Sequence, residues 1–263
     1  MRTKHLVLIL VFLVSGCGKK QEIQCLVSNA ETVVGGQTGQ ELSPTQVFRK
    51  NNGTEPGTLD PHRAEGVPAS NVLRDLFEGL VMEDPSGAYI PGAAESWSLS
   101  EDAKTYVFKM RENGKWSNGD VVTAEDFVYG LRRSVDPTTL SNYSSMLYPI
   151  KNARDIVLGK KSSETLGVRT NGPTTLIIEL DEPTPYFLSL LTHSTTYAAH
   201  RPSVEEFGAR FTRPGNLVGN GAFKLEEWRV QSHIKLVRNT EYWDNKNTTL
   251  EEVYYYPLDD VNS

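Results

Sequence analysis

The sequence predicts a mixed α/β fold of the α+β kind, rich in short strands and carrying two helix-containing subdomains. Three observations support that class. Apolar and polar residues alternate in short runs such as "TYVFKMR", "TTLIIEL" and "HIKLVRN", the pattern of strands with one buried face. Clusters of Asn, Gly, Pro and Asp separate those runs and read as turns. Between them lie segments with apolar residues at helical spacing behind N-capping residues.

Taken in order, residues 46–49 alternate and read as a first strand, and "NNGTEPGTLDP" reads as loop. Ser70 or Asn71 stands as N-cap to a helix in which Leu73, Leu76, Phe77 and Leu80 share a buried face. Short strands and turns fill residues 83–116, with a turn at Asp84-Pro85-Ser86-Gly87. In "TYVFKMR", Tyr106, Phe108 and Met110 face one way, and Val107, Lys109 and Arg111 the other. Further turns follow at Glu112-Asn113-Gly114 and Asn118-Gly119. Thr123-x-x-Asp126 has capping-box spacing and opens a helix through "FVYGLRRSV", which Asp136-Pro137 ends. "TTLIIEL" places Leu176, Ile178 and Leu180 together. Thr184-Pro185 opens a helix holding Phe187, Leu190 and Leu191, with Pro in the favoured first position. Ser203-x-x-Glu206 reads as a second capping box, and "GAFKLEEWRV", "HIKLVRN" and "LEEVYYY" close the chain as three strands.

The 263 residues, 38% hydrophobic and 23% charged, suffice for one or two domains with a real core. Acids outnumber bases 33 to 27, a net charge of -6 that argues against nucleic acid and anionic membrane surfaces as partners. The N-terminus carries Arg2 and Lys4, then an apolar run over residues 6–14 that is too short to span a bilayer and suits a signal-peptide core. Ser15-Gly16-Cys17 behind Leu13-Val14 resembles a bacterial lipoprotein box. Residues 1–16 are therefore expected to be a signal peptide and Cys17 the lipidated residue, with 17–46 a flexible tether. Cys17 and Cys25 are the two cysteines, too few for a disulfide framework or a multi-cysteine metal site.

Reactive motifs are missing from the sequence: G-x-S-x-G, H-E-x-x-H, G-x-G-x-x-G and a phosphate loop all fail, and "LGKKSS" has Arg154 where a phosphate loop needs Gly. No two of the five histidines stand at helical metal-ligand spacing. His62-x-x-Glu65 is bracketed by Pro61 and Pro68 in a stretch that reads as non-helical, so His62 is expected to be a solvated loop residue. The expectation is a protein without metal, cofactor or enzymatic activity.

Several runs carry a family resemblance: "NNGTEPGTLDPHRAEGVPASNVLRDLFEGLV", "PGAAESWSLSEDAKTYVFKMRENGKWSNGDVVTAEDFVYGLRRSVDP", "GNGAFKLEEW" and "LVRNTEYWDN". They resemble the extracytoplasmic solute-binding proteins of ABC peptide importers, most of all the oligopeptide-binding and murein-tripeptide-binding kind. The resemblance runs from about residue 47 onward, and the Trp-Ser-Asn-Gly-Asp…Thr-Ala-Glu-Asp-Phe block is its most specific part. It implies a periplasmic-binding-protein-like type II lobe over 47–77 plus 201–263, with a small α+β domain over 78–200 inserted into it. It implies that Glu65, Gly66, Val67 and Pro68 form an extended, cleft-lining segment whose main chain pairs with a peptide, and that Tyr143 and His193 face the ligand. The implied partners are an oligopeptide, the transmembrane subunits of an ABC permease and a lipid anchor, for a monomer outside a bacterial membrane, in the periplasm or at the cell surface. Family members continue for about as long again beyond "PLDDVNS", so the second lobe is expected to be absent and the protein truncated. Two alternatives stay open: a non-transporting truncated lipoprotein, as a fragment of a longer product or the product of a disrupted gene, and a binder of dipeptide, nickel or haem.

Overall fold

A computed structural model of the protein describes residues 43–258. The expected signal peptide, Cys17 and nearly all of the tether lie outside the described residues.

Two four-stranded sheets and a hairpin form the framework. The first sheet joins β1 (Val47–Asn51), β8 (Phe223–Arg229), β9 (His233–Arg238) and β10 (Glu252–Tyr256) in the order β1-β10-β9-β8. β1 pairs with β10 in parallel, from Val47 opposite Glu252 to Asn51 opposite Tyr256, while β10-β9 and β9-β8 are antiparallel. The second sheet joins β4 (Ala94–Leu99), β5 (Thr105–Met110), β6 (Val168–Thr170) and β7 (Thr175–Glu179) in the antiparallel order β4-β5-β7-β6. β2 (Val81–Glu83) and β3 (Tyr89–Pro91) form the hairpin, and Asp84 Oδ1 shapes its turn by accepting from the Ser86 and Ala88 amides. The alternation expected of "TYVFKMR" holds: Tyr106, Phe108 and Met110 are buried.

The helices are α1 (Gly66–Leu76), α2 (Ala124–Val135), α3 (Ala153–Val157), α4 (Phe187–Leu190) and α5 (Arg201–Phe207). α2 starts where the capping residues place it. The Asp126 carboxylate accepts from the Thr123 amide at 2.7 Å and from its hydroxyl at 2.9 Å. Phe127, Leu131 and Val135 then bury against the second sheet through β6 and β7.

Three helix boundaries differ from the sequence reading. α1 begins at Gly66, so Ser70 and Asn71 lie inside it. Pro68 fits there because amides of the first helical turn have no intrahelical acceptor to lose. α5 begins at Arg201 with His200 as its cap, the imidazole Nδ1 accepting from the Ser203 amide, so Ser203 opens no capping box. The helix behind Thr184-Pro185 is a single turn, and of its expected apolar face Phe187 and Leu191 are buried.

The sequence "GNGAF" packs where backbones come into contact. A Cβ on Gly221 would stand 2.5 Å from the Asp75 carbonyl oxygen and 2.7 Å from the Phe77 nitrogen, at the end of α1. Backbone atoms cannot swing aside as a side chain can. Gly221→Ala is therefore expected to lower the unfolding free energy by about 1–3 kcal/mol, the usual cost of overpacking, read from the midpoint of a urea titration.

Candidate peptide-facing site

The loop before α1 is built on Asp60. Its Oδ1 accepts from the His62 amide at 3.0 Å and its carbonyl from the amides of Arg63 and Ala64, which closes a tight turn. Arg133, reaching from α2, grips the carboxylate with both terminal nitrogens at 2.8 and 2.7 Å. The Arg133 Nη1 also lies 2.8 Å from His62 Nδ1. A guanidinium only donates, so Nδ1 is an acceptor and the proton of the neutral ring sits on Nε2. That Nε2 donates to the Tyr197 carbonyl at 2.9 Å. Burial foremost, and then the Arg133 charge, hold His62 down at about 4. Burial alone would push Asp60 up, but the hydrogen bond from Arg133 and the neighbouring charges together hold it below the usual carboxylate range. His62 is thus a buried structural joint 1% exposed. The solvated bystander expected from the sequence is corrected because partners distant in the chain, Arg133 and Tyr197, enclose it.

Beyond this joint the chain surfaces. Glu65, Gly66 and Val67 are exposed, Val67 by 70%. Glu65 is extended, with φ -128° and ψ 150°, and Gly66 turns the chain at φ +78°, a conformation that favours glycine. Gly66, Val67 and Pro68 then form the first turn of α1, so the expected extended strand over 65–68 is corrected to one extended residue followed by a helical turn. The amides of Glu65, Gly66 and Val67 have no hydrogen-bond acceptor among the described residues. The Pro68 carbonyl accepts from the Asn52 side chain at 3.0 Å, and Asn52 in turn accepts from Asn71, so the end of β1 holds the start of α1.

The structure brings Tyr143 and His193 together. Their rings meet edge to face with centroids 4.9 Å apart, both half-buried. No hydrogen bond or ring contact joins this pair to residues 65–68 among the described residues. The two are linked indirectly: the stretch after His193 is held by Ser134, whose hydroxyl donates to the Thr195 carbonyl at 2.6 Å, and by His62 on Tyr197. Consecutive residues of α2, Arg133 and Ser134, therefore position the loop before α1 and the stretch behind His193.

A second joint, not anticipated from the sequence, lies at Glu78. This carboxylate is 4% exposed and accepts from the Tyr242 hydroxyl at 2.5 Å and the Trp243 indole at 2.8 Å. Burial pushes its carboxyl up to about 7, against the lowering pull of those bonds and of Arg111. The Glu78 backbone is paired on both sides with the Asn220 side chain, which ties "GNGAF" and "EYWDN" to the end of α1. A lone acid beside Phe77 and Leu80 was the available signal. Among the described residues no three His, Cys, Asp or Glu side chains converge as a metal site would require, and no helix is long and apolar enough to cross a membrane.

Comparisons with known proteins agree with this architecture. The model of the bacterial extracellular solute-binding proteins, family 5 (middle region), matches residues 88–263. The chain is 45% identical over 235 residues to the periplasmic oligopeptide-binding protein OppA of Salmonella typhimurium, a match covering 89% of this chain and 43% of that protein. The structure of the Escherichia coli murein tripeptide binding protein MppA is similar with a TM-score of 0.81 and 41% identity, covering 83% of this chain and 43% of that one. The Haemophilus influenzae OppA complex with RPPGFSPFR is similar with a TM-score of 0.81 and 42% identity, over the same shares. The chain thus spans less than half the length of these relatives, and over that span it has their type II periplasmic-binding-protein architecture. On the family match and these likenesses, the chain belongs to the bacterial extracellular solute-binding proteins, family 5.

Proposed function

We propose that this chain contributes one wall of an oligopeptide-binding site and serves capture of peptides outside the cytoplasmic membrane for an ABC importer. Lipid attachment at Cys17 would hold it beside the permease subunits, and binding without catalysis is its task. The observation that carries the reading is the exposed stretch at residues 65–67, whose amides have no acceptor, in a chain similar to a protein solved with a bound peptide. Main-chain donors offer the same hydrogen bonds to any peptide sequence, which suits a binder of mixed peptides. The two four-stranded sheets support a division into a first lobe over 47–77 plus 201–263 and an inserted domain over 78–200, since each sheet draws its strands from one of these.

Hydrogen exchange tests the reading. Saturating mixed tripeptides and tetrapeptides are expected to slow exchange of the Glu65, Gly66 and Val67 amides severalfold, with amides in β5 and β7 unchanged. Unaltered exchange at residues 65–67 would remove the proposed wall.

A further inference from the structure

A groove of about 480 Å³ is walled by residues of the helical turn Ser144–Leu147, of α4 and of the loop that leads into α4. It shares no residue with the stretch at 65–67. Met146 and Leu190 give it an apolar part and are themselves packed against the core. Tyr148 and Tyr186 add two rings, and neither phenol hydroxyl has a hydrogen-bond partner among the described residues. Tyr186 is 62% exposed, so the fold gains little burial from that ring. Two carboxylates, Asp181 and Glu182, stand at the same groove, and no Lys, Arg or His lines it. Lys104 reaches in from outside the lining: its Nζ donates to the Glu182 carboxylate and to the Asp181 carbonyl, each at 2.9 Å. The exposed Asp181 carboxylate itself makes no ion pair or hydrogen bond among the described residues. Single tyrosines and acids are ordinary on a protein surface. Here two rings, an apolar wall and an unpaired carboxylate share one concavity, and aromatic faces and a carboxylate attract a cation together.

We infer that this groove docks a segment of a partner polypeptide that presents an arginine or lysine beside an apolar residue. The cation sits at Asp181 and the two tyrosines, and the apolar neighbour rests on Met146 and Leu190. Charge sets the sign of the partner, since the lining carries carboxylates and no cation. Size sets its kind, because a concavity this large fits a short run of chain rather than one ammonium or guanidinium group. The two phenol hydroxyls can each donate to a carbonyl of that chain or accept from its amides. The inference does not depend on the peptide wall at residues 65–67.

The test titrates the full 263-residue chain with acetyl-Ala-Leu-Arg-Ala-amide and with the same peptide carrying Gln for Arg, read by amide chemical shifts so that weak binding is seen. The Arg peptide is expected to shift amides at residues 145–148 and 181–190 and to bind there about tenfold more tightly, as one exposed ion pair and a cation–π contact together allow. Asp181→Asn, which breaks no side-chain hydrogen bond or ion pair among the described residues, should abolish that preference. Tyr186→Ala, at an exposed ring, should reduce it. Equal affinity of the two peptides at the groove, or a preference that survives Asp181→Asn, overturns the inference. So does acetylarginine amide binding as tightly as the Arg peptide, which would make this a site for a free organic cation. Shifts confined to residues 65–67 overturn the groove and leave the peptide wall standing, and no shift at residues 145–148 or 181–190 with either peptide overturns the groove as well.

Discussion

Arg133→Met is expected to cost about 3–5 kcal/mol of folding stability, the usual penalty for breaking a buried ion pair from one side. The Asp60 side chain is 6% exposed and that of Arg133 16% exposed, so removal of the guanidinium leaves a carboxylate without water or a counter-charge. It also removes the donor that His62 Nδ1 accepts from. The penalty arises mostly from the orphaned charge, so adding Asp60→Asn to Arg133→Met should restore a substantial part of it. Arg133→Lys should fall between the two, because an ammonium cannot span both carboxylate oxygens and the imidazole. Urea titrations of the three variants with unchanged slope would measure this. A cost below about 1 kcal/mol for Arg133→Met would show Asp60 to be effectively hydrated. The same variant should also loosen residues 65–67, since Asp60 shapes the turn from which they emerge.

The second large effect is on the pH dependence of stability, where two buried groups oppose each other. His62 is held down at about 4 in the folded chain. Unfolded, it takes a proton near its ordinary 6.5. Between those values the unfolded state binds more protons, so this contribution is complete above 6.5 and is lost as pH falls toward 4. Glu78 is pushed up to about 7 when folded, from an ordinary 4.5. Between those values the folded state binds more protons, so its contribution is complete below 4.5 and is lost as pH rises toward 7. At 1.36 kcal/mol per pKa unit each is worth about 3 kcal/mol, with opposite sign over nearly the same window. Asp75, pushed up by burial, acts in the same sense as Glu78, and His193 in the same sense as His62. The wild-type profile should therefore be shallow between pH 4.5 and 7. Relative to it, His62→Gln should lose stability as pH rises and Glu78→Gln should gain it. Urea titrations at pH 4.5, 5.5, 6.5 and 7.5 give the two difference curves, and flat or parallel curves would contradict the assignment.

Strands were the most legible part of the chain. β5, β7, β9 and β10 each alternate in sequence, and their burial follows the alternation because a pleated strand puts successive side chains on opposite faces, while β8 alternates only as far as Leu225, where a bulge shifts its register. The start of α1 was not legible. Pro68 reads locally as a breaker, and only the turn at Gly66 shows that it occupies a first turn in which its missing N–H is harmless. α5 was displaced for a related reason. A histidine imidazole caps it at His200, and the Ser203-x-x-Glu206 spacing imitated a cap inside the helix. His62 and Glu78 were the least legible, since the groups that bury them lie 71 and 164 residues away in the chain.

The parallel pairing of β1 with β10 has a consequence for synthesis. The partner strand lies about 200 residues downstream. At ~5–20 residues per second, β1 waits roughly 10–40 s after leaving the ribosome before β10 exists to pair with it. For that interval the first sheet cannot close, and an unpaired strand edge is open to other chains. The first sheet is thereby kept open until β10 has been made. That delay carries a risk of aggregation if a chaperone does not shield the waiting edge.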